Sequence, residues 1–259
     1  MVPIQIPLAE FEKFLILFLR VGAILFTSPV IGSGSVPIRL KVGLSVLTAI
    51  ILTPVVSVNL SALPSQPLAL VPLLIREVLM GAALGLVARY IFAAVQLSGE
   101  FISYQMGFSI VNVLDIQENE EVSIVSQLQD VIVTLVFFGT GAHHVYLRAI
   151  AGSFDAVPPL GGVFNGRVVE ALLVMSSSMF VVAIKLAAPL MAALLFVNVV
   201  LGLVARMVPQ MNVFIVGFPL SITVGLIFLG TTLPFFAAST ERLFGHMDGD
   251  LLRLMRLMG

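Results

Sequence analysis

The sequence predicts an all-α membrane protein, and two features of its composition carry this prediction. Of the 259 residues, 59% are hydrophobic and only 10% are charged, and the mean hydropathy is +1.13. Soluble domains carry about 25% charged residues. The composition therefore favours helices that are surrounded by lipid or by other apolar helices, and the length accommodates about five to seven of them.

The composition also excludes several classes of function. A net charge of −1 gives no electrostatic basis for binding nucleic acid. The absence of cysteine excludes a disulfide framework, cysteine-ligated zinc and iron–sulfur clusters. His143 and His144 are adjacent and point in different directions, so they make a poor metal site. No nucleotide-binding loop or nucleophile motif occurs, and we predict no cofactor and no enzymatic activity.

The N-terminus favours insertion into a bacterial inner membrane through the chain's own helices. Its opening "MVPIQIPLAEFEKF" lacks a basic region and carries acidic residues before the first apolar run. We therefore expect no cleaved signal peptide.

Apolar runs separated by helix breakers predict the first three helices. The first run covers about 14–31 and ends in the Gly, Ser and Pro residues of "SPVIGSGSVP", and the second covers about 42–60, with Pro54 near its end. The uncharged breaker "SALPSQP" follows. A long third helix is then predicted over about 69–104.

The middle of the chain predicts one helix followed by a long loop. Asp115 and Glu118 have the spacing of a capping box, and further acidic residues in the next turn favour a helix N-terminus. A helix is therefore predicted from about 116 to 138. A loop that contains two adjacent prolines and several glycines is predicted over 139–166.

The C-terminal part predicts a helical hairpin and a tail. The helical pattern resumes over about 167–206, where Pro189 is predicted to kink or break the helix. The segment "ARMVPQMNVFIVGFPLSI" (205–222) is interpreted as the turn and the entrance of the return helix. A strong apolar run covers 213–238, and 239–259 is predicted to be a short amphipathic tail.

Charged residues lie within these apolar runs or at their edges. A charged side chain that faces lipid at mid-membrane costs about 2.5–3.5 kcal/mol on insertion scales. We therefore expect these side chains to face partner subunits, water or the chain's own interior. They are Arg20, Arg76, Arg89, Asp130, Glu170, Lys185 and Arg206.

Small and polar residues also form stripes at helical spacing. Residues at i, i+4 and i+8 share one face of a helix, and small residues there allow two helix backbones to approach closely. Packing within the chain and contact with other subunits are both open as explanations. The three stripes are Asn198, Gly202 and Arg206; Gly217, Ser221 and Gly225; and Glu77, Gly81 and Gly85.

A fourth stripe is wholly polar. Ser123, Gln127, Asp130 and Thr134 would line one face of an otherwise apolar helix. Such a line faces either a wet path or a polar partner, and the sequence favours neither explanation.

The segment "YQMGFSIVNV" (104–113) interrupts the helical pattern at Gly107, which has Met106, Phe108 and Ile110 around it. A flexible apolar loop beside polar helices can form a hydrophobic constriction, and such a constriction gates a pore by dewetting. The alternative is a linker between helices with buried side chains.

Three blocks of the sequence carry a family resemblance. They are "RVGAILFTSPVIGSGSVPIRLKVGLSVLTAII" (20–51), "QMGFSIVNVLD" (105–115) and "GLVARMVPQMNVFIVGFPLSI" (202–222). In this order and at these separations they resemble the FliR family of the type III secretion export apparatus, whose members serve flagellar and virulence systems. The last block is the most specific of the three.

The resemblance implies a two-part helical architecture. Residues 1–179 would be similar to the partner subunit FliP, with a plug loop near 105–119. Residues 180–259 would form a hairpin and tail similar to the subunit FliQ. Ser221 departs from the family, because many relatives are expected to carry a basic residue there, and this departure leaves only a local interface charge in doubt.

The resemblance also implies a function and partners. A member of this family would assemble with FliP and FliQ into a closed helical ring, with FlhB and FlhA beside it. The ring would conduct unfolded flagellar proteins across the inner membrane, partly raised toward the periplasm, with membrane lipid as a further neighbour.

The matched motifs imply two sets of site residues. The pore plug is expected at Gln105, Met106, Gly107, Phe108, Ser109, Ile110, Asn112 and Asp115. Subunit contacts are expected at Asn198, Gly202, Arg206, Pro209, Gln210, Asn212, Gly217, Pro219 and Ser221, and also at Glu77, Gly81 and Gly85.

A secondary transporter or small-molecule channel is the alternative class. Its broken helices would recur at corresponding positions in two halves of the chain. The "PQMN…GFP" segment has no evident counterpart in the first half, which favours the export subunit.

Overall fold

The computed structural model describes residues 8–58, 67–108, 123–210 and 212–259. These residues form seven helices and contain no strand, so the all-α prediction is confirmed. The helices are α1 (Leu8–Thr27), α2 (Ile38–Leu52), α3 (Pro67–Met106), α4 (Ile124–Gly139), α5 (Ala142–Ala156), α6 (Gly166–Met207) and α7 (Val213–Met258).

Three helical segments are long and apolar enough to cross a membrane, namely Leu68–Met106, Gly166–Met207 and Ile215–Met258. α4 and α5 would add a fourth span if the pair is taken as one broken span. Because a span needs about 20 predominantly apolar residues, this chain is an all-α membrane protein.

The chain divides into two compact units. The first contains 1–90, 141–176 and 245–259, and the second contains 91–140 and 177–244. Three of the four boundaries fall within α3, α6 and α7, and the fourth falls between α4 and α5. The division predicted at 179/180 was drawn from resemblance to two partner proteins, and it stays a prediction.

The core of the first unit comes from α1, the beginning of α3, α5 and the end of α7. Buried apolar side chains recur along these helices at the spacing of a helix face. They include Leu17, Val21 and Ile24 of α1, Met80 and Leu84 of α3, Tyr146, Ile150 and Phe154 of α5, and Met247, Leu251 and Leu254 of α7.

α5 lies within 139–166, where the sequence predicts a loop, so that prediction is wrong for Ala142–Ala156. The helix follows Gly141, whose φ of +74° lies in the left-handed region that glycine adopts readily. Tyr146, Ile150 and Phe154 form a buried stripe at four-residue spacing. Their burial outweighs the weak helix propensity of the glycines and histidines in "GTGAHHVYLRAIAG", and the true connection is the shorter segment 157–165.

α7 is one continuous helix, whereas the sequence predicts a run over 213–238 and a separate tail. The amphipathic character of that tail is correct, because it buries one stripe of side chains. Gly245 and Gly249 each cost about 1 kcal/mol relative to alanine in a helix, and burial of the stripe maintains the helix across them. The stripe consists of Phe244, Met247, Leu251, Leu254 and Met258.

α6 runs from Gly166 to Met207 as one continuous helix, so Pro189 does not break it, and the kink that is the other predicted outcome stays a prediction. A proline inside a helix removes one backbone hydrogen bond. Ala187 and Leu190, on either side of it, are buried in the core of the second unit. We infer that this packing maintains the helix where the hydrogen bond is missing.

The remaining helix limits differ modestly from prediction. α2 begins at Ile38, directly after Pro37, and ends at Leu52, before Pro54. The predicted helix start near 116 and the capping box lie outside the described residues. α4 begins after Ser123, whose Oγ accepts a hydrogen bond from the N–H of Ser126 at 3.2 Å.

The second unit has an apolar core and an aromatic cluster. Phe92, Phe137 and Phe244 pack with ring centroids 5.3–5.9 Å apart, the range that aromatic pairs prefer. The apolar core contains Ile102, Met106, Val125, Ala187, Leu190 and Leu194.

Candidate functional site

The C-terminal end of α3 is where the predicted plug begins. The Gly107 N–H donates to the Tyr104 carbonyl at 3.2 Å, and the Phe108 N–H donates to the Ser103 carbonyl at 3.2 Å. These two bonds form a Schellman motif, and Gly107 takes the left-handed φ of +91° that the motif requires. The interruption predicted at Gly107 is therefore a capped helix end.

Gly107 also allows a close contact with α7. A Cβ atom at this position would lie 2.7 Å from Cδ1 of Phe218. Met106 is fully buried in the core of the second unit, and Phe108 packs against that core. The point from which the predicted plug departs is thus fixed. Its other predicted residues, Ser109, Ile110, Asn112 and Asp115, lie outside the described part of the chain.

Asn198, Gly202 and Arg206 form an exposed stripe on α6. No described atom outside α6 itself lies within 4 Å of the position that a Cβ atom of Gly202 would take. The described chain leaves this face uncovered, and its small residue would allow close approach of another helix.

The stripe of Gly217, Ser221 and Gly225 faces the chain itself. A Cβ atom at Gly217 would lie 3.2 Å from Cδ1 of Leu201, and one at Gly225 would lie 2.6 Å from Cε of Met106. Ser221 is buried. Packing within the chain, one of the two open explanations, accounts for this stripe.

The turn between α6 and α7 carries Pro209, Gln210 and Asn212, which are all exposed. The Asn212 carbonyl accepts a hydrogen bond from the N–H of Ile215 at 3.1 Å, so Asn212 directly precedes the first turn of α7. Pro219 lies inside α7 and is also exposed. A turn between two helices is therefore found where the sequence predicts one.

A cavity of about 270 Å³ opens where these elements meet in the second unit. The buried Oε1 atom of Gln105 accepts no hydrogen bond from any residue that the structure describes. A buried acceptor without a donor costs about 1–3 kcal/mol, so this oxygen is a point at which the described residues leave a hydrogen bond to be made. The cavity is lined by Gln105 and Gly107 of the α3 end, Asn198 and Gly202 of α6, and Gly217 and Ser221 of α7, among others.

Glu77, Gly81 and Gly85 belong to the first unit, where α1 of the same chain covers them. A Cβ atom at Gly81 would lie 2.5 Å from the carbonyl oxygen of Arg20, and one at Gly85 would overlap the Thr27 side chain. Glu77 is 0% exposed, and its carboxylate pairs with Arg20. Packing within the chain, one of the two open explanations, therefore accounts for this stripe, and the subunit contact expected at these residues stays a prediction.

The charged residues of the apolar runs separate into two groups. Arg20 is 1% exposed and faces the chain's interior, one of the environments that the sequence predicts. The half-buried Arg76 donates to the Leu160 carbonyl at 3.2 Å. The others are exposed on the isolated chain and therefore available to water or partners: Arg89, Asp130, Glu170, Lys185 and Arg206.

Sequence reasoning missed the polar contact between α3 and α4. Ser98 Oγ donates to Gln129 Oε1 at 2.8 Å, and Ser126 Oγ donates to the Gln96 carbonyl at 2.7 Å. A Cβ atom at Gly99 would lie 2.5 Å from Cα of Ser126. The available signal was Gln129 itself, a polar residue inside the apolar stripe of Val125, Val133 and Phe137. The predicted stripe residues Gln127 and Asp130 are exposed instead.

The described residues contain no group of three or more histidine, aspartate or glutamate side chains placed to hold a metal ion. The His143 and His144 rings lie beside each other with centroids 4.0 Å apart. The candidate site therefore consists of three features of helix surface. They are the capped end of α3 at Gly107, the uncovered stripe at Gly202 and the partly polar cavity beside them.

The sequence of this chain is similar to one family of known proteins along most of its length. The model of bacterial export proteins, family 1, matches residues 11–247. The chain is 32% identical over 229 residues to flagellar biosynthetic protein FliR of Escherichia coli K12, covering 88% of this chain and 87% of the relative. It is 33% identical over 255 residues to FliR of Bacillus subtilis 168, covering 96% of each, and 32% identical over 245 residues to FliR of Aquifex aeolicus, covering 90% and 91%. Matched along nearly its whole length, the chain belongs to the bacterial export proteins, family 1, the family of the flagellar FliR proteins.

Proposed function

We propose that this chain is a non-enzymatic core subunit of the flagellar type III protein export gate. It assembles with FliP and FliQ into a pore that conducts unfolded flagellar proteins across the inner membrane, with FlhB and FlhA beside it. Membership of the export family supports a role in flagellar biosynthesis. The pore, its partners and its position, partly raised toward the periplasm within the basal body, are the proposal.

The observation that carries this proposal is the exposed surface of α6 and α7. In their most apolar windows only 28% and 17% of residues are buried within the chain, against 56% for α3. α6 also carries exposed charges at Lys185 and Arg206, and these are costly in lipid. Helices that are both uncovered and charged are better suited to neighbouring protein helices than to lipid on every side.

The interface with partner subunits is proposed on the uncovered side of the C-terminal hairpin. Asn198, Gly202 and Arg206 provide a small and polar stripe at which another helix can approach closely. Pro209, Gln210, Asn212 and Pro219 extend this surface around the turn. Gly217 and Ser221 act indirectly, because they pack the hairpin that presents it.

The gate is proposed at Gln105 through Asp115 and the following few residues. The Schellman motif at Gly107 fixes the point at which the chain leaves α3, and the sequence beyond it is largely apolar. An apolar constriction excludes water and blocks ion flow without a charged barrier.

Assembly is tested by co-purification of a tagged copy with FliP and FliQ. The chain contains no cysteine, so a single cysteine at Gly202 reports its neighbours without background. Gly202→Cys should cross-link to a partner subunit in the complex. Gly43→Cys, at another exposed glycine with no described neighbour within 4 Å, is the matched control. A stable solitary chain with transport activity would contradict the proposal.

The gate is tested by deleting 109–113, which spares Gly107, Phe108 and the buried Met106. The reconstituted complex should then leak ions and small solutes in vesicles. Unchanged leakage in a complex that still contains all three subunits would contradict the gate while leaving assembly intact.

A further inference from the structure

Residues 157–163, which we call the strap, follow α5. Their hydrogen bonds involve no residue of the proposed gate. Leu160 has a φ of +66°, the single positive φ among the described non-glycine residues. Such a conformation is strained for leucine and persists only where surrounding contacts enforce it. The Gly161 N–H donates to the Pro158 carbonyl at 3.0 Å, which closes a tight turn around Leu160.

α3 holds Leu160 from both sides. The Leu160 N–H donates to Oε1 of Glu77 at 2.7 Å. The Leu160 carbonyl accepts from Nη2 of Arg76 at 3.2 Å. Two adjacent side chains of one helix thus hold both backbone polar groups of the strained residue.

Glu77 is in turn held by Arg20 of α1. Arg20 donates from Nε to Oε2 of Glu77 at 2.6 Å and from Nη2 to Oε1 at 3.1 Å, in a two-pronged pair. Its Nη1 donates to the carbonyls of Ser153 at 3.0 Å and Val157 at 2.7 Å. The Phe154 ring lies 4.7 Å from the guanidinium carbon. The carboxylate that receives Leu160 is therefore locked in one orientation.

The far end of the strap holds the end of α7. The Val163 N–H donates to the Met258 carbonyl at 2.7 Å. The last carbonyls of a helix have no partner inside it, so this bond caps α7 from outside. Met258 is 1% exposed, and a Cβ atom at Gly162 would overlap Met80 and Val157. The strap is thus held by α3 at Leu160 and contacts the end of α7 at Val163.

We propose that the strap and the last turns of α7 form one conformational unit that the buried Arg20–Glu77 pair latches shut. Without the carboxylate, Leu160 loses its anchor and relaxes from its left-handed conformation. The strap then moves, the Val163–Met258 bond breaks, and the end of α7 opens while the rest of the first unit stays folded. Local opening of a contiguous segment below the global unfolding threshold is typical of such units. This inference does not depend on the export-gate proposal.

The test is hydrogen exchange of the full chain in detergent, comparing wild type with Arg20→Met/Glu77→Met. Replacing a buried ion pair by apolar residues of similar volume is often tolerated, so the fold is kept while the anchor is lost. Amides at 160–163 and 254–259 should exchange about tenfold faster or more, the equivalent of one lost buried contact. Amides at 12–19 and 84–89 should be unchanged. Arg89→Met/Glu170→Met removes two exposed charges and is the matched control.

Two milder variants keep the test decisive if the double variant does not fold. Arg76→Gln removes only the hydrogen bond from Arg76 to the Leu160 carbonyl. It should raise the amide exchange rates in the same two segments by a few fold. Leu160→Gly, added to Arg76→Gln, should restore protection, because glycine takes the left-handed conformation without strain. Faster exchange at 160–163 without any change at 254–259 would overturn the coupling. Equal acceleration throughout the chain, or none, would overturn the latch.

Discussion

Two of the polar sites that the structure describes differ in how their polar groups are satisfied. Around Arg20 and Glu77, buried charges and backbone groups pair with one another inside the first unit. At the cavity of the second unit, the buried oxygen of Gln105 has no donor among the described residues, and Gly202 faces no described neighbour outside its own helix. Folding of the chain satisfies the first site. The second is left open by the residues that the structure describes, and it is where we propose the contact with another subunit.

The comparison extends to the small-residue stripes. Gly81 and Gly85 on α3 have the same four-residue spacing as Asn198 and Gly202 on α6. The first pair is pressed against α1, whereas the second is open. Identical spacing therefore serves packing inside the chain in one place and an uncovered face in another.

The largest effect is expected from breaking the satisfied site on one side. Glu77→Ala leaves Arg20 buried without its counterion and should destabilise the chain by about 3–5 kcal/mol. The yield of folded protein should fall sharply, and thermal unfolding in detergent should occur at lower temperature. Glu170→Ala, at an exposed glutamate, is the control. A Glu77→Ala variant as stable as wild type would show that the ion pair is not a structural requirement.

A matched pair of glycine substitutions separates the two sites more directly. Gly85→Leu forces a side chain into Thr27 and should destabilise the isolated chain by about 1–3 kcal/mol or more. Gly202→Leu meets no described neighbour in the chain, so its thermal stability should equal wild type while co-purification with FliP and FliQ is lost. Normal assembly of Gly202→Leu would move the proposed interface elsewhere.

A smaller effect is expected at the capped end of α3. Gly107→Ala places a Cβ atom on a left-handed residue and close to Phe218, and should cost about 1–2 kcal/mol. Thermal unfolding measures the loss, and ion leakage of the reconstituted complex tests whether the gate is displaced. Gly107→Asn is the control, because asparagine tolerates the left-handed region better. Equal losses for alanine and asparagine would mean that the contact with Phe218, not the backbone conformation, dominates.

Composition and local pattern were sufficient for much of this architecture. The apolar runs predicted the long helices, and Gly107 and Pro209 correctly marked helix ends. These signals are local, since a helix end depends on residues within one turn of it. Arg20 is buried in the chain's interior, one of the environments expected for charged residues of the apolar runs. That expectation rests on the cost of exposing a charge to lipid, and this cost can be judged without knowing which residue pairs with the charge.

What sequence reasoning could not supply was pairing over distance. Glu77 lies 57 positions from Arg20, and Leu160 lies 83 positions from Glu77, and no periodicity relates them. The packing of α1 on Gly81 and Gly85 could not be predicted for the same reason, because spacing identifies a close approach but not the helix that makes it. α5 was missed because its buried stripe outweighs a composition typical of loops.

The smallest predicted effect lies at the α3–α4 contact, a fully paired polar contact inside the second unit. Hydrogen bonds between membrane helices average about 0.6 kcal/mol in double-mutant cycles. Ser98→Ala, Gln129→Leu and their combination should therefore give a coupling of about 0.5–1.5 kcal/mol, measured by reversible unfolding in detergent. Ser126→Ala, which removes the neighbouring bond to Gln96, controls for general loosening of α4. A zero coupling would show that Ser98 and Gln129 are each satisfied separately. In that case the close approach at Gly99, rather than the hydrogen bond, would hold these two helices together.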